Sequence, residues 1–200
     1  MASTQPHMGE LKLPAGAPKV IALYGLKGTG KSEVAKFLTS QYGYKTVKLA
    51  YPLKLMLKVL YGYAGVDFDS AQKYLEGEWK ERVVPQFGVT GRSMMQTLGT
   101  EWGRDCINQD MWLNMAVSKI KALNNIGIPI VVDDLRFKNE MLRLISDCGA
   151  KTVKIVRDGV IKSDAHISEG GLDTHHFEVT INNSSSLEDL RNAIINEVVS

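Results

Sequence analysis

The chain has 200 residues, 44% of them hydrophobic and 23% charged, which is the balance of a soluble globular protein of one domain. Its net charge of +2 argues against a general nucleic-acid-binding surface, and no apolar run approaches the roughly 18 residues of a membrane span. Two cysteines are too few for a disulfide framework or a zinc site, so we expect a cytoplasmic protein. The charge and the lack of a long apolar run lead us to expect neither nucleic acid nor a membrane as partner.

Taken in chain order, the sequence predicts strands and helices in alternation. Residues 1–18 carry prolines, glycines and polar side chains and are predicted to form a mobile tail before one domain over residues 19–200. Strands are predicted at 19–24, 45–49, 128–133, 151–156 and 177–181. Helices are predicted at 32–41, 52–62, 91–103, 110–125, 137–148 and after a capping box at Ser186 and Asp189, whereas residues 65–86 give no clear pattern. Alternation of this kind predicts an α/β fold with a mainly parallel sheet between two layers of helices.

A glycine-rich turn follows the first predicted strand and leads into the first predicted helix. It has the sequence Gly25-Leu26-Lys27-Gly28-Thr29-Gly30-Lys31-Ser32 and matches the G-x-x-x-x-G-K-[ST] pattern in full. The backbone N–H groups of such a turn point at phosphate oxygens, and the start of the helix adds its positive field. We expect Lys31 to reach the β- and γ-phosphates and Ser32 to bind Mg²⁺. The motif therefore predicts a nucleoside triphosphate site without specifying the reaction.

A second segment with chemistry to offer is the predicted helix over residues 91–103. Helical spacing places Arg92, Gln96 and Gly99 on one stripe and apolar side chains on another. A guanidinium, an amide and a position without a side chain suit a phosphate and a base edge. An amphipathic surface helix explains the same periodicity, and on periodicity alone it is the favoured interpretation.

Acidic and basic residues follow the apolar strand predicted at 128–133. Asp133 and Asp134 end that strand, where P-loop proteins place a carboxylate that supports Mg²⁺ and where open α/β sheets bind ligands. Arg136 and Glu140 are four residues apart, so they fit either a site for a migrating phosphoryl group or a surface ion pair.

These segments together resemble the deoxynucleoside monophosphate kinases of tailed bacteriophages. The resemblance covers residues 19–198. It is carried by the glycine-rich turn, by Arg92-x-x-x-Gln96-x-x-Gly99-Thr100, by Asp110-x-Trp112, by Asp134-x-Arg136-x-x-x-Glu140 and by His166-x-Ser168-Glu169. It implies a three-layer P-loop kinase fold, ATP as phosphate donor, Mg²⁺ as cofactor and small-molecule nucleotides as partners.

The resemblance also implies roles for individual residues. Those expected to contact the monophosphate are Arg92, Gln96, Gly99, Thr100 and Trp112. Those expected to line the transfer site are Asp134, Arg136 and Glu140, with Asp133 or Asp134 supporting the metal through water. It further implies a helical monophosphate-binding region at about 50–125 and a lid-like loop at about 157–174. It allows the protein to form a homodimer. The expected location is the host cytoplasm if the gene belongs to a phage.

The expected reaction moves the γ-phosphate of ATP to a deoxynucleoside monophosphate. The acceptor oxygen is already ionised at neutral pH, since the second phosphate pKa is about 6, so charge neutralisation and positioning matter more than a general base. Two alternatives stay open from the residues alone. One is a kinase for a ribonucleoside monophosphate or a small metabolite, and the other is a non-catalytic ATP-dependent switch.

Overall fold

The computed structural model describes residues 13–160 and 171–200. The motif around His166 therefore lies outside the described residues, as does most of the predicted tail. The chain divides into two compact units. One unit is Lys48–Ser118, and the other combines the chain on either side of it, up to Val47 and from Lys119 onward.

Seven strands and seven α-helices make up the described part of the chain. The strands are β1 (Val20–Tyr24), β2 (Lys45–Val47), β3 (Val83–Val84), β4 (Val89–Thr90), β5 (Ile130–Val132), β6 (Lys151–Val156) and β7 (Val179–Asn182). The helices are α1 (Lys31–Tyr42), α2 (Tyr51–Tyr63), α3 (Phe68–Glu76), α4 (Gly91–Thr97), α5 (Met111–Asn125), α6 (Lys138–Cys148) and α7 (Leu187–Ala193). None of these helices is both long and apolar enough to cross a membrane.

The first unit is built on a parallel five-stranded sheet in the order β2–β5–β1–β6–β7. Every residue of β1 is buried, as expected for a central strand covered on both faces. Ile21 and Leu23 share a core cluster with α1 and α7, while α6 packs against β1 and β6. Because successive residues of a strand point to opposite faces, helices cover both sides of the sheet, and the predicted three-layer α/β/α fold is confirmed.

The second unit is mainly helical and has a hydrophobic cluster of its own. Leu53, Leu57 and Tyr61 of α2 supply one side of that cluster, and Leu75 of α3 and Val84 of β3 supply the other. Strands β3 and β4 form a short antiparallel hairpin. Helix α3 and strand β3 fall in the stretch 65–86, which showed no clear pattern, and β4 follows just after it, so the structure adds these three elements to the predicted ones.

The predicted helix at 91–103 is helical, but its α-helical spacing ends early. After Thr97 the chain continues directly as a π-helical segment, Leu98–Ile107, hereafter the π segment. Its end is marked by the Asn108 N–H, which donates to the carbonyl oxygen of Gly103 at 3.0 Å. A π-helix bonds residues five apart instead of four, so the stripe predicted from α-helical spacing does not extend to Gly99. Helix α7 likewise ends in π-helical turns at Ile194–Val199.

Residues 13–18, which belong to the predicted tail, contact the first unit. Leu13 and Ala17 lie in the stretch assigned to the N-terminal tail, yet both pack against the core cluster of the first unit. The buried Tyr44 donates its hydroxyl proton to the carbonyl oxygen of Pro18. Apolar contacts and this hydrogen bond therefore hold residues 13–18 on the domain, and the predicted boundary at residue 18 is corrected to that extent.

Candidate active site

The glycine-rich turn connects β1 to α1 and has the backbone geometry of a phosphate-binding loop. Gly25, Gly28 and Gly30 all have positive φ values, of 155°, 91° and 104°. A Cβ atom at Gly25 would overlap the carbonyl oxygen of Ile155, and one at Gly30 would overlap the side chain of Asn183. Glycine is thus required at Gly25 and Gly30 both by conformation and by space. Lys27 and Ser32 are exposed at this turn.

Two side chains of the loop are held by the loop's own carbonyl oxygens. The Lys31 ammonium group donates to the carbonyl oxygens of Gly25 and Leu26, the latter at 2.9 Å. Thr29 is only 2% exposed, and its hydroxyl group also donates to the Leu26 carbonyl oxygen at 2.9 Å. These hydrogen bonds hold the loop in a curved shape around Lys31.

The loop after β7 braces the glycine-rich turn, and sequence reasoning missed it. The Asn183 side-chain amide donates to the carbonyl oxygen of Thr29 at 2.8 Å, and the Asn183 backbone N–H donates to the carbonyl oxygen of Val156 at 2.8 Å. Asn183 thus ties the turn to the end of β6. The available signal was polar sequence directly after an apolar strand, the same signal that singled out Asp133.

The carboxyl ends of β1 and β5 lie side by side. Ala22 pairs with Val132 in the parallel register, so the turn after β1 and the acidic pair after β5 leave the same edge of the sheet. Asp133 and Asp134 are both partly buried there. A serine hydroxyl at a helix start and carboxylates after the neighbouring strand are oxygen ligands of the kind that Mg²⁺ prefers.

Glu140 acts on the backbone at the start of α6. The residue is 3% exposed, and its carboxylate accepts hydrogen bonds from the backbone N–H groups of Arg136 at 2.9 Å and Phe137 at 3.0 Å. These N–H groups precede the helix, so the bonds fix the point from which the exposed Arg136 side chain extends. The contacts of this buried carboxylate with backbone groups go beyond the surface ion pair considered from spacing alone.

The segment predicted as a lid-like loop is anchored at both described ends. Near one end, the Asp158 N–H donates to the Ser184 hydroxyl oxygen at 2.8 Å. Near the other, the Tyr24 hydroxyl group donates to the Asp173 carboxylate at 2.7 Å and accepts from the Leu172 N–H at 3.3 Å. Tyr24 immediately precedes the glycine-rich turn, so both ends of this segment are tied close to the strand ends that bear the site. Residues 161–170 lie outside the described residues.

The predicted acceptor residues lie in the second unit, on α4 and the π segment. Arg92 forms an ion pair with Glu81, and Gln96 is half-buried. Gly99 and Thr100 lie in the first turn of the π segment and are partly exposed. The structure places these four residues on one continuous helical stretch. π-helical turns occur frequently at functional sites, which is consistent with the acceptor site predicted on this stretch.

The buried Trp112 side chain contacts the backbone of the π segment. It is 3% exposed, and its indole N–H donates to the carbonyl oxygen of Gly99 at 2.8 Å. A Cβ atom at Gly103 would lie only 2.5–2.7 Å from three atoms of the indole ring. The ring therefore packs directly on the backbone of the π segment, at both of its glycines. A contact between Trp112 and the monophosphate stays a prediction.

Comparisons with known proteins identify the family of this chain. The family model described as "Deoxynucleotide monophosphate kinase" matches residues 79–194. Acanthamoeba polyphaga mimivirus has a protein named for the same activity. It is 28% identical over 189 residues, and the match covers 88% of this chain and 94% of the mimivirus protein. The "Deoxynucleotide monophosphate kinase" of Enterobacteria phage T4 is 25% identical over 236 residues, covering 89% of this chain and 98% of its own.

A solved structure, the dephospho-CoA kinase from Campylobacter jejuni, aligns with a TM-score of 0.41 at 14% identity. The alignment covers 91% of this chain and 98% of the Campylobacter chain. The family model spans more than half of the chain, from the second unit through β5, α6 and β7 into α7. It thus includes the predicted acceptor residues and the strand end that carries Asp134 and Arg136. The chain belongs to the deoxynucleotide monophosphate kinase family and is a P-loop phosphotransferase of nucleotide metabolism.

Proposed function

We propose that this protein transfers the γ-phosphate of ATP to a deoxynucleoside monophosphate, giving ADP and a deoxynucleoside diphosphate. The observation that carries the proposal is the braced glycine-rich turn between β1 and α1, with Lys31 at its centre. Family membership supports the choice of a monophosphate as acceptor. The relatives named above bear the word deoxynucleotide in their names, and the preference for deoxyribose comes from them.

In this proposal ATP is held by Gly25, Lys27, Gly28, Thr29, Gly30, Lys31 and Ser32. Lys31 exchanges the carbonyl oxygens of its own loop for the β- and γ-phosphates. Ser32 and one of Asp133 and Asp134, through water, are the residues that would hold Mg²⁺, and their oxygen atoms and shared sheet edge fit that ion. When bound, Mg²⁺ neutralises charge on the transferring phosphates.

The acceptor monophosphate is assigned to the second unit. Arg92 holds its phosphate, and the partly exposed Gln96, Gly99 and Thr100 bind the rest of the nucleotide. Arg92 then exchanges the exposed Glu81 carboxylate for a phosphate, which costs little because exposed ion pairs contribute only about 0–1 kcal/mol. Trp112 positions the π segment through its bond to Gly99.

The chemical step needs no strong base. An ionised oxygen of the acceptor phosphate attacks the γ-phosphorus, the bond from that phosphorus to the β–γ bridging oxygen breaks, and ADP leaves with the electron pair. Arg136 stabilises the charge on the migrating group, and Glu140 fixes the backbone from which Arg136 extends. Asp134 would hold Mg²⁺ through water molecules, and the ion would supply charge neutralisation there.

A location in the cytoplasm, of the host if a phage encodes the gene, and action as a homodimer complete the proposal. Both cysteines, Cys106 and Cys148, are free, as a reducing compartment would leave them.

The test is ADP production from ATP and Mg²⁺ with each of dAMP, dGMP, dCMP and dTMP and with their ribose counterparts. We expect turnover on at least one deoxy substrate, weaker turnover on its ribose form and loss of turnover in Arg136→Ala. Arg191→Ala is the matched control, because Arg191 is an exposed arginine on α7 that lies beside Phe37, outside the predicted site. Hydrolysis independent of any monophosphate, or ATP binding without turnover, would contradict the proposal and favour an ATP-dependent switch.

A further inference from the structure

Polar residues recur at every fourth position along α4 and the π segment. They form a row, hereafter the polar row, that consists of Arg92, Gln96, Thr100 and Arg104, and each of them is partly buried. The residue directly after each member is exposed, and these residues are Ser93, Thr97, Glu101 and Asp105. Because the same step from partly buried to exposed recurs at every fourth residue, the polar row keeps to one side of the helical stretch.

The change from α to π spacing keeps the polar row straight. An α-helix has about 3.6 residues per turn, so residues four apart drift by about 40° around the axis at each step. A π-helix bonds residues five apart and has more than four residues per turn, so there the drift has the opposite direction. The polar row begins on α4 and ends on the π segment, so the two drifts offset each other. Arg104 therefore lines up with Arg92, whereas a continuous α-helix would displace it by about a third of a turn.

The neighbouring side of this stretch is packed. Leu98 contacts the hydrophobic cluster of the second unit. Gly99 and Gly103 lie against the buried Trp112 ring. The polar row thus lies at the border between this packed side and the exposed side. Side chains at such a border bind a ligand at a lower cost in lost water contacts than fully exposed ones do.

The order of side chains in the polar row matches the parts of a nucleotide. An arginine stands at each end, with an amide and a hydroxyl group between them. The proposed function assigns the phosphate of the acceptor to Arg92, and the present inference rests on that assignment. The sugar then lies along Gln96 and Thr100, and the part of the nucleotide farthest from the phosphate is the base. The base is therefore the part that reaches Arg104.

The guanidinium group of Arg104 is oriented by the end of the π segment. It donates to the carbonyl oxygen of Gln109 at 3.3 Å, which is longer than a typical hydrogen bond of this kind. A guanidinium group carries five N–H donors in a rigid fork and accepts no hydrogen bond. A base that binds to Arg104 must therefore offer acceptor atoms.

We propose that Arg104 binds the base of the acceptor nucleotide and makes the protein select guanine over adenine. Guanine offers two adjacent acceptors, O6 and N7, which take two N–H groups of one guanidinium. Adenine keeps N7 but carries the N6 amino group in place of O6, so a donor would face a donor. Gln96 has both a donor and an acceptor and does not select between the two purines. The acceptor favoured by the polar row is therefore dGMP over dAMP.

The test compares the dissociation constants of dGMP and dAMP, measured by calorimetric titration without ATP. A bidentate contact of arginine with guanine discriminates by about 5- to 150-fold, so we expect dGMP to bind more tightly than dAMP by a factor in this range. Arg104→Met removes the donors and keeps a long side chain, and it should bring the ratio of the two constants close to one. Arg104→Lys keeps the charge without the fork, and its ratio should lie between the other two.

Asp105→Asn is the matched control, because Asp105 is the exposed neighbour of Arg104 on the π segment and lies outside the polar row. It should keep the ratio of the wild type. Circular dichroism follows folding, and Arg104→Lys carries the comparison if Arg104→Met does not fold.

Equal binding of dGMP and dAMP by the wild type would overturn the inference. A ratio that survives in Arg104→Met would do the same. So would an equal loss of affinity for both nucleotides, which is the result expected if Arg104 only holds the backbone at Gln109. Selective binding of dGMP that depends on Arg104, without phosphate transfer from ATP, would contradict the proposed kinase function and support the role of Arg104.

Discussion

Replacement of Asn183 by alanine tests whether the loop after β7 holds the phosphate-binding turn in shape. The Asn183 amide donates to the carbonyl oxygen of Thr29 at 2.8 Å, and Thr29 is 2% exposed. Without the amide this carbonyl group loses that donor in a place that water reaches poorly. Leaving a buried acceptor without a partner costs about 1–3 kcal/mol.

We expect two measurable effects of Asn183→Ala. The free energy of unfolding should fall by about 1–2 kcal/mol, and the Tm should fall by about 2–8 °C. If the bond also orders the turn for ATP, the same 1–2 kcal/mol weakens ATP binding by about 5–30-fold. Calorimetric titration with ATP and Mg²⁺ measures the second effect, and thermal unfolding measures the first.

Asn182→Ala is the control for this experiment. Asn182 is the neighbouring exposed amide, and its side-chain oxygen accepts a hydrogen bond from Ser184 and not from the turn. It should leave ATP affinity unchanged. A lowered Tm with unchanged ATP affinity in Asn183→Ala would refute the role in shaping the site, and equal losses in both variants would assign the effect to the loop as a whole.

Three further predictions concern the supports of the site. Gly103→Ala places a Cβ atom against the Trp112 ring and should lower the free energy of unfolding by about 1–3 kcal/mol in urea titrations, whereas Gly62→Ala, in open space on α2, should be neutral or slightly stabilising. Burial raises the pKa of Tyr61 from 10.0 to about 12, so this tyrosine loses its proton at lower pH in the unfolded chain than in the folded one. The free energy of unfolding should therefore fall between pH 10 and 12, and it should fall less in Tyr61→Phe. Glu140→Ala should lower kcat more than Glu140→Gln does, because glutamine still offers an oxygen to the two backbone N–H groups; equal kcat values would contradict the positioning role.

The strands and most helices could be predicted because their signals are local. The buried run of β1 and the β-branched residues of β6 are each visible within six residues. The capping box of Ser186 and Asp189 depends on residues three apart, and the structure confirms both of its hydrogen bonds. Local spacing also identified the glycine-rich turn, because glycine at these positions permits the positive φ values that the turn needs.

The elements that escaped prediction depend on residues distant in sequence. The change from α to π spacing after Thr97 occurs where Trp112 packs, and no window of the helix itself contains that information. Asn183 lies 154 residues from Thr29, so its brace becomes visible only once β7 takes its place in the sheet. The site role of Glu140 stays a prediction, and spacing alone could not separate its bonds to backbone groups from a surface ion pair.

The contacts of Lys31 within its own loop make the proposed nucleotide binding an exchange of hydrogen bonds rather than an addition. Its ammonium group already has carbonyl oxygens of Gly25 and Leu26 as acceptors, and an incoming phosphate must replace them. Only the difference between the two sets of bonds contributes to affinity, so weakly charged ligands gain little by entering. The ammonium–carbonyl bonds are already charge-assisted on the donor side, so a phosphate gains over them through the attraction between opposite charges, and a triphosphate offers several anionic oxygens. Lys31 therefore favours ligands with a high density of negative charge, before any contact with the base is made.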